Sequence, residues 1–89
     1  MADTASVIDV NIVAENRPLW NGQAKSAIVP SLNGYMGILA DHEPVLAIVG
    51  NGNVTIKTVD GEEHAFAVEG GFISFEDNTL TIGVDKVLD

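Results

Sequence analysis

The sequence predicts an all-β chain that folds as an antiparallel β-sandwich of two roughly five-stranded sheets. Apolar and polar residues alternate over short segments, which is the two-residue period of strands with one buried face. Turn-forming residues separate these segments at short intervals. No stretch of about ten residues has a 3.6-residue apolar period, and the 9 glycines are too frequent for helices. We therefore expect one domain over residues 1–89.

The N-terminal part contains two predicted strand regions. In the first, residues 8–12, apolar residues alternate with Asp and Asn. The second follows the breaker Asn16-Arg17-Pro18 and contains a turn at Asn21-Gly22, because Asn-Gly accepts the positive φ that tight hairpins need. Its apolar run, residues 27–29, is expected to end at Pro30.

Turn signals also mark the later strands. Residues 45–49 and 53–59 flank Gly50-Asn51-Gly52, which predicts a hairpin between them. Further strands are predicted in the segments EEHAFAV, FISF and LTIGV, which follow turn residues at Asp60-Gly61, Gly70-Gly71 and Glu76-Asp77-Asn78. Leu80, Ile82 and Val84 are expected to share the buried face of the last strand.

The composition excludes several classes of function. Acidic residues outnumber basic ones by 13 to 4, and a net charge of −9 repels both nucleic-acid phosphates and anionic lipid headgroups. We therefore expect neutral or basic partners and no nucleic acid. The chain has no cysteine, which suits a reducing compartment. The N-terminus has no signal-peptide pattern and no apolar run has transmembrane length, so we expect a soluble chain.

No motif in the sequence predicts catalysis. Only His42 and His64 could act as a general base near neutral pH without a large pKa shift, and neither has an obvious partner. The serines are scattered and none lies in a G-x-S-x-G elbow. We therefore expect a protein without a catalytic residue, and not an enzyme; the alternative left open is a triad assembled in space from residues that are distant in the sequence.

Metal and cofactor sites are also not expected. Asp41-His42-Glu43 offers three kinds of ligand, but adjacent side chains point in different directions, which favours a solvated turn. Gly50-Asn51-Gly52 lacks the lysine and the helix of a phosphate-binding loop. The cluster of Asp60, Glu62 and Glu63 is interpreted as a soluble hairpin tip rather than paired catalytic carboxylates.

One stretch resembles a known family. The run VPSLNGYMGILADHEPVL, residues 29–46, is similar to the signature of the N-terminal sandwich domain of the epsilon subunit of bacterial and chloroplast F-type ATP synthases. Residues 19–22 and 67–72 resemble two further motifs of that domain, in the same order and at the same spacing. The positions that match the main signature are Gly34, Gly37, Ile38, Leu39, His42, Pro44 and Leu46.

The resemblance implies a mechanical function. In that family the sandwich rides on the rotating central stalk, where it binds the gamma subunit and the polar loops of the c-ring. It implies a non-catalytic rotor subunit of a proton-translocating ATP synthase, within the alpha/beta/gamma/delta/epsilon complex and without a cofactor. The expected location is the cytoplasmic face of the bacterial plasma membrane, reached only through the complex.

The same resemblance implies contact residues. The expected contacts with the c-ring are Gly34, Tyr35, Met36, Gly37 and His42, and the expected contacts with gamma are Ala14, Val45, Leu46 and Ala47. The residues themselves agree with this reading, because interface cores favour Tyr, Met and aliphatic side chains over charges. Strand alternation lets only one of the neighbours Val45 and Leu46 point outward.

The chain also departs from the family pattern. Tyr35 stands where many bacterial members carry an acidic residue, so we expect a packed aromatic contact there. Ala40 and Asp41 replace a proline and often a glycine, which is expected to loosen the loop. Most relatives continue into two long helices, whereas this sequence ends at Asp89. If that length is natural, we expect rotation to be coupled without the inhibitory arm and its nucleotide site.

Two alternatives belong to other classes. Lipoyl and biotinyl carrier domains are also acidic and all-β, and they carry a lysine in a motif like Asp85-Lys86-Val87. Their lysine lies at a hairpin tip in mid-chain, whereas only two residues follow Val87 here. The other alternative is a stand-alone sandwich that binds a polysaccharide or a protein.

Overall fold

Seven strands and no helix form the described part of the chain, which in this computed structural model comprises residues 7–15 and 17–88. The all-β prediction is therefore confirmed. Residues 1–6, Asn16 of the predicted breaker and Asp89 lie outside the described residues. The strands are β1 (Ile8–Ala14), β2 (Arg17–Ser31), β3 (Gly34–Leu39), β4 (Val45–Ile48), β5 (Asn51–Thr58), β6 (Glu63–Glu76) and β7 (Thr79–Leu88).

Strand pairing divides the chain into two layers of five segments, as the sequence predicts. The long strands β2 and β6 belong to both layers. Residues 17–24 of β2 pair with β1, and residues 24–31 pair with β5 and β3. The first half of β6 pairs with β5 and the second half with β4. β7 accompanies β6 across both layers.

The two layers join into a flattened barrel. The hydrogen-bonded order is β1-β7-β6-β5-β2-β3, and β1 also pairs with β2. This closes a ring of five strands, with β3 and β4 attached as edges. The β1–β7 pair is parallel, so the expectation of a purely antiparallel sandwich was wrong on this point. A ring with an odd number of strands cannot be antiparallel at every step, and β1–β7 is the step where direction repeats.

The N-terminal turn predictions were wrong, because β2 is one continuous strand. Asn21-Gly22 lies within it and pairs with β1, and the chain turns instead at Glu15, which has φ 47°. Pro30 does not end the strand either, since it pairs with Tyr35 of β3. Its carbonyl accepts the Gly50 N–H, at 2.9 Å, on the side away from β3. The missing N–H of Pro30 therefore costs no bond to β3.

The predicted hairpin at Gly50-Asn51-Gly52 was also wrong. β4 pairs with β6 rather than with β5, so this segment carries the chain from one layer to the other. Backbone hydrogen bonds fix the crossing, since Val49 N–H donates to the Gly71 carbonyl at 2.9 Å. Turn residues between two apolar runs indicate a change of direction, but they do not say which strand is the neighbour.

The later turns are confirmed at Asp60-Gly61 and at Asp77-Asn78. Gly61 has φ 92°. Asp77 and Asn78 have φ 52° and 56°, which are the two successive positive values of a type I′ turn, the turn that matches strand twist. Gly70-Gly71, in contrast, bends β6 from one layer to the other without ending it. Gly71 has φ 128°, and a Cβ there would lie 2.0 Å from the Gly83 carbonyl oxygen. No other residue type fits this crossing.

The core lies between the layers and follows the predicted alternation. The buried residues include Ile8, Val10 and Ile12 of β1 and Leu80, Ile82 and Val84 of β7. Each of these positions faces the opposite layer, because side chains along a strand alternate between the two sides of the sheet. The remaining buried apolar residues are Ala14, Ala24, Ala27, Val29, Ile38, Val49, Val54, Ile56, Val68, Ile73 and Phe75.

Candidate functional site

The β2–β3 hairpin carries most of the residues predicted to contact a c-ring. Its tip is Leu32-Asn33, where Leu32 is exposed. The Ser31 hydroxyl orders the turn by donating to the Gly34 carbonyl at 2.5 Å and accepting the Asn33 N–H at 3.2 Å. The hairpin therefore presents an apolar side chain on a turn that its own hydrogen bonds hold in place.

Tyr35 lies on the outer surface of the hairpin, where 62% of it is exposed. Its hydroxyl reaches β5 and accepts the Asn53 N–H at 3.4 Å. Gly52 makes room for it, since a Cβ at that position would lie 2.6 Å from the Tyr35 oxygen. The polar end of the ring is thus used within the domain, and the ring presents its apolar faces and edges to a partner.

His42 lies in the connection between β3 and β4. Its Nδ1 lies 2.7 Å from the Glu43 carbonyl oxygen, and its ring packs edge-on against Phe75 with centroids 5.9 Å apart. These contacts turn His42 towards the domain and leave it half-buried. A structural contact therefore accounts for much of the His42 side chain.

The loop before His42 is held more firmly than the sequence predicts. Asp41 has φ 68°, so it takes the left-handed conformation that glycine would adopt. Its N–H donates to Asn78 Oδ1 at 2.6 Å, and Asn78 Nδ2 donates back to Asp41 Oδ1 at 3.3 Å. This reciprocal pair ties the loop to the β6–β7 turn, which compensates for the absent proline.

The residues predicted to contact gamma fall into two groups. In β4, Leu46 is 77% exposed, whereas Val45 and Ala47 are half-buried. The prediction that only one of the neighbours Val45 and Leu46 points outward is therefore confirmed. Ala14 lies apart from them, 5% exposed in β1 and beside a depression lined by Arg17 and Asp85 among others.

A cleft brings together residues from both predicted contact sets. It has a volume of about 500 Å³ and separates the edge strands β3 and β4. None of its lining residues is charged. The lining residues are Ser31, Leu32, Asn33, Gly34, Tyr35, Met36, Leu46, Ala47 and Ile48. Gly37, His42, Val45 and Ala14 lie outside this lining.

Three exposed residues near the cleft were missed by the sequence analysis. Leu32 is 72% exposed, Ile48 is 56% exposed, and Phe72, which pairs with Ile48, is 46% exposed. The run VLAIV is apolar at every position, so its sequence does not indicate which side faces solvent.

The sequence analysis also missed the role of Asn78. Its residue type and position predict only a turn, because its hydrogen-bond partner, Asp41, is 37 residues away in the sequence.

The other candidate groups show ordinary surface interactions. His64 Nε2 lies 3.9 Å from Glu62 Oε1, and the His64 ring stacks at a tilt on Trp20, with centroids 5.5 Å apart. The Thr58 hydroxyl donates to Asp60 at 2.5 Å, which is the main reason that the pKa of Asp60 lies below its ordinary value. Within residues 7–15 and 17–88, no group of three or more His, Asp or Glu side chains could hold a metal ion.

Lys86 does not lie where a carrier lysine would. It lies within the strand β7, not at a turn, and its register partner is Glu69 of β6. A swinging arm needs a lysine at an exposed turn between two strands, so the lipoyl or biotinyl carrier alternative is not supported. The described part of the chain also contains no helix with the length and apolar character that a membrane crossing requires.

The chain is similar to known proteins in both sequence and fold. Residues 7–89 match the family model described as the ATP synthase, Delta/Epsilon chain, beta-sandwich domain. The chain is 41% identical over 78 residues to the ATP synthase epsilon chain of Streptomyces avermitilis, covering 88% of this chain and 63% of that protein. It is 37% identical over 75 residues to the epsilon chain of Micrococcus luteus, covering 84% and 82%. The chain thus spans less than two thirds of the length of several relatives and a larger share of the Micrococcus luteus protein.

The fold also matches chains of solved assemblies. A chain of the Euglena gracilis mitochondrial ATP synthase, in a cryo-EM structure of OSCP, F1 and c-ring, superposes with a TM-score of 0.86 at 19% identity. The match covers 99% of this chain and 56% of that one. A chain from the Tetrahymena thermophila central stalk and c-ring gives a TM-score of 0.76 at 18% identity, covering 92% and 66%. At these identities the likeness concerns the fold alone.

Proposed function

Since this chain belongs to the family of the ATP synthase delta/epsilon chain β-sandwich domain, we propose that it is a non-catalytic rotor subunit of a proton-translocating F-type ATP synthase. It links the gamma subunit to the c-ring, so that rotation passes between the ring and the catalytic head. The complex lies at the bacterial plasma membrane, with this chain peripheral on the cytoplasmic face. The family match over residues 7–89 carries the proposal.

The surface of the domain supports a mechanical role. A part that transmits torque must resist deformation, and the closed five-strand ring has a continuous apolar core. A part that transmits torque also needs a surface for contact with its partners, and an apolar surface outside the core can serve for this. Leu32, Tyr35, Leu46 and Ile48 supply such a surface at one side of the domain. Contiguous exposed apolar groups of this kind are typical of protein interaction sites.

We assign different roles to the predicted contact residues according to their exposure. Tyr35 and Leu46 contact partners directly, because both are mostly exposed. Gly34 and Gly37 shape the hairpin that faces the c-ring, and Met36 supports it from the half-buried side. His42 holds the loop against Phe75. On the gamma side, Val45 and Ala47 support Leu46, and buried Ala14 acts through the position of β1.

The proposal is tested by affinity purification of the tagged chain from native membranes under mild detergent. We expect the alpha, beta and gamma subunits and the c-ring to be recovered with it. Recovery of none of them, with a soluble glycan or an unrelated protein instead, would support a stand-alone binding sandwich and reject the rotor role.

A matched pair of variants makes this experiment specific to the surface. Leu46→Asp places a charge at the most exposed large apolar residue of the described segments and should lower recovery of gamma about tenfold or more. Val59→Asp places the same charge at an exposed valine in the turn after β5 and should leave recovery unchanged. Equal loss in both variants would point to general charge repulsion rather than to a contact at β4.

A further inference from the structure

Three Asn-Gly steps occur in the sequence, at residues 21–22, 33–34 and 51–52. An asparagine followed by glycine can close a five-membered ring, because no Cβ on the glycine hinders its nitrogen from reaching the side-chain amide carbon. The ring forms only when the peptide plane between the two residues turns about the Cα–C bond of the asparagine. The surroundings of each step therefore decide whether it reacts in the folded chain.

The step at Asn21-Gly22 is held within β2. Both residues pair with β1, opposite Asn11 and Val10, and turning the peptide plane there would break this ladder. The Asn21 side-chain amide also donates to Asn11 Oδ1. Trp20 lies over the glycine, since a Cβ on Gly22 would be 3.0 Å from the indole ring. Ring closure at this step therefore requires local unfolding of the strand.

The step at Asn51-Gly52 is held in a similar way at the start of β5. These two residues pair with Glu69 and Val68 of β6. The Tyr35 hydroxyl lies over the half-buried Gly52, where an added Cβ would be 2.6 Å from the phenolic oxygen. The ladder on one side and the tyrosine on the other therefore oppose rotation of this peptide plane.

The step at Asn33-Gly34 is the least restrained of the three. Asn33 lies in the two-residue tip beyond the last pair of the β2–β3 ladder, which is Ser31 with Gly34. Gly34 is exposed, and an added Cβ on it would meet nothing within 4 Å. The Ser31 hydroxyl bonds the Asn33 N–H and the Gly34 carbonyl, and neither group takes part in ring closure. A movement of the tip alone therefore brings the reacting atoms together.

We propose that Asn33 is a site of spontaneous deamidation and isomerisation in the folded chain, and that Asn21 and Asn51 are protected. The Gly34 nitrogen bonds to Asn33 Cγ, the Cγ–Nδ2 bond breaks, and Nδ2 leaves as ammonia with the proton of the Gly34 N–H. Water then opens the resulting succinimide. Cleavage of the new bond between nitrogen and Cγ gives aspartate, and cleavage at the backbone carbonyl gives isoaspartate. Water is the only co-reactant, and nothing is oxidised or reduced.

The modification changes the cleft between β3 and β4. Asn33 lines this cleft, whose lining residues carry no charge, and either product places a carboxylate there. Isoaspartate also adds a methylene group to the backbone, which disturbs the two bonds that Ser31 makes within the turn. The chemistry does not depend on the proposed rotor function, although its product lies on the surface to which that function assigns contacts.

The test follows all three steps in the purified chain, kept folded in mildly alkaline buffer at physiological temperature. Peptide mapping with fragmentation in a mass spectrometer assigns each conversion to one asparagine and separates aspartate from isoaspartate. Asn33 should convert at least about tenfold faster than Asn21 or Asn51, because those two react only when their strands open. In guanidinium chloride the three rates should agree within about threefold, since unfolding removes the ladders and the covering side chains.

Asn33→Gln is the control variant, because a glutamine side chain would have to close a less favourable six-membered ring. It should stop conversion at the tip and leave the rates at Asn21 and Asn51 unchanged. Equal rates at the three steps of the folded chain would overturn the proposal. A preference for Asn33 that persisted in guanidinium chloride would also overturn it, by assigning the preference to sequence rather than to structure. Aspartate formed without isoaspartate would indicate direct hydrolysis and reject ring closure.

Discussion

The open side of the sandwich, where the edges β3 and β4 lie, differs from the closed side, where β1 joins β2 and β7. On the open side the outward positions are apolar, with Leu39, Leu46 and Ile48 exposed. On the closed side several outward positions are polar and paired across strands, as in the hydrogen bond from Asn21 to Asn11 and the 3.5 Å bond from Gln23 to Asp9. Both sides bury the same kind of apolar residues inward.

The contrast between the two sides separates the residues that form the core from the exposed apolar residues that the core does not need. Folding requires the inward positions of both sides, because they form one core. It does not require large exposed apolar residues at outward positions, and the polar pairs of β1 and β2 show that polar residues serve there equally well. The outward residues of the open side are therefore best explained by a partner, which is how they enter the proposed function.

The largest effect is expected at Gly71, which carries β6 from one layer to the other. Gly71→Ala places a methyl group 2.0 Å from the Gly83 carbonyl oxygen at φ 128°, so we expect a loss of about 3 kcal/mol or more in the free energy of unfolding. Gly61→Ala is the control, because φ is 92° there but the space is open, and about 1 kcal/mol is expected. Urea unfolding measures both. Similar losses would mean that the crossing is not tightly packed.

A pair of isoleucines tests the comparison directly. Ile82 of β7 is 0% exposed and Ile48 of β4 is 56% exposed. Ile82→Ala should destabilise the domain by about 2–4 kcal/mol, since it removes buried methyl groups and leaves a cavity. Ile48→Ala should change stability by less than about 0.5 kcal/mol. If Ile48→Ala were equally destabilising, the open side would belong to the core and the distinction between the two sides would fail.

A smaller effect is expected at Asn78, which ties the loop of the open side to the β6–β7 turn. Asn78→Gly keeps the left-handed conformation at φ 56° but removes both side-chain bonds to Asp41, so we expect a loss of about 1 kcal/mol. Exchange of the Asp41 amide should become faster. Asp77→Gly is the matched control in the same turn, with φ 52°, and should leave that amide unchanged. An unchanged Asp41 amide in Asn78→Gly would show that the pair does not hold the loop.

The smallest effect concerns pH and the turn that contains Asp60. The Thr58 hydroxyl, together with backbone hydrogen bonds, holds the pKa of Asp60 below its ordinary value. A lowered pKa in the folded state stabilises the fold above the ordinary pKa, and this contribution is lost as pH falls through the folded value. Asp60→Asn should therefore flatten the fall in stability below about pH 4. Titration of the Asp60 carboxyl by NMR checks the direction, and Thr58→Val should raise its pKa. An Asp60 pKa that Thr58→Val leaves unchanged would remove the hydroxyl as the cause.

The sequence by itself determined the features that depend on neighbouring residues. Alternation identified the buried faces of β1 and β7, and residue types identified the turns at Asp60-Gly61 and Asp77-Asn78. The glycine-bracketed motif at Gly34 and Gly37 led to the family that the comparisons support. These signals are local, since side-chain direction and turn conformation are set within a few residues.

Only the tertiary structure decided which strands are neighbours. Asn21-Gly22 has the residues of a turn but lies in a strand, because pairing with β1 on one side of β2 outweighs local turn preference. β4 joins β6 instead of β5, as an edge outside the ring. β1 runs parallel to β7, because a closed ring of five strands requires one parallel step. The exposure of Leu46 and Ile48 follows from those pairings, since in an all-apolar strand the outward face is set by which layer lies beneath it.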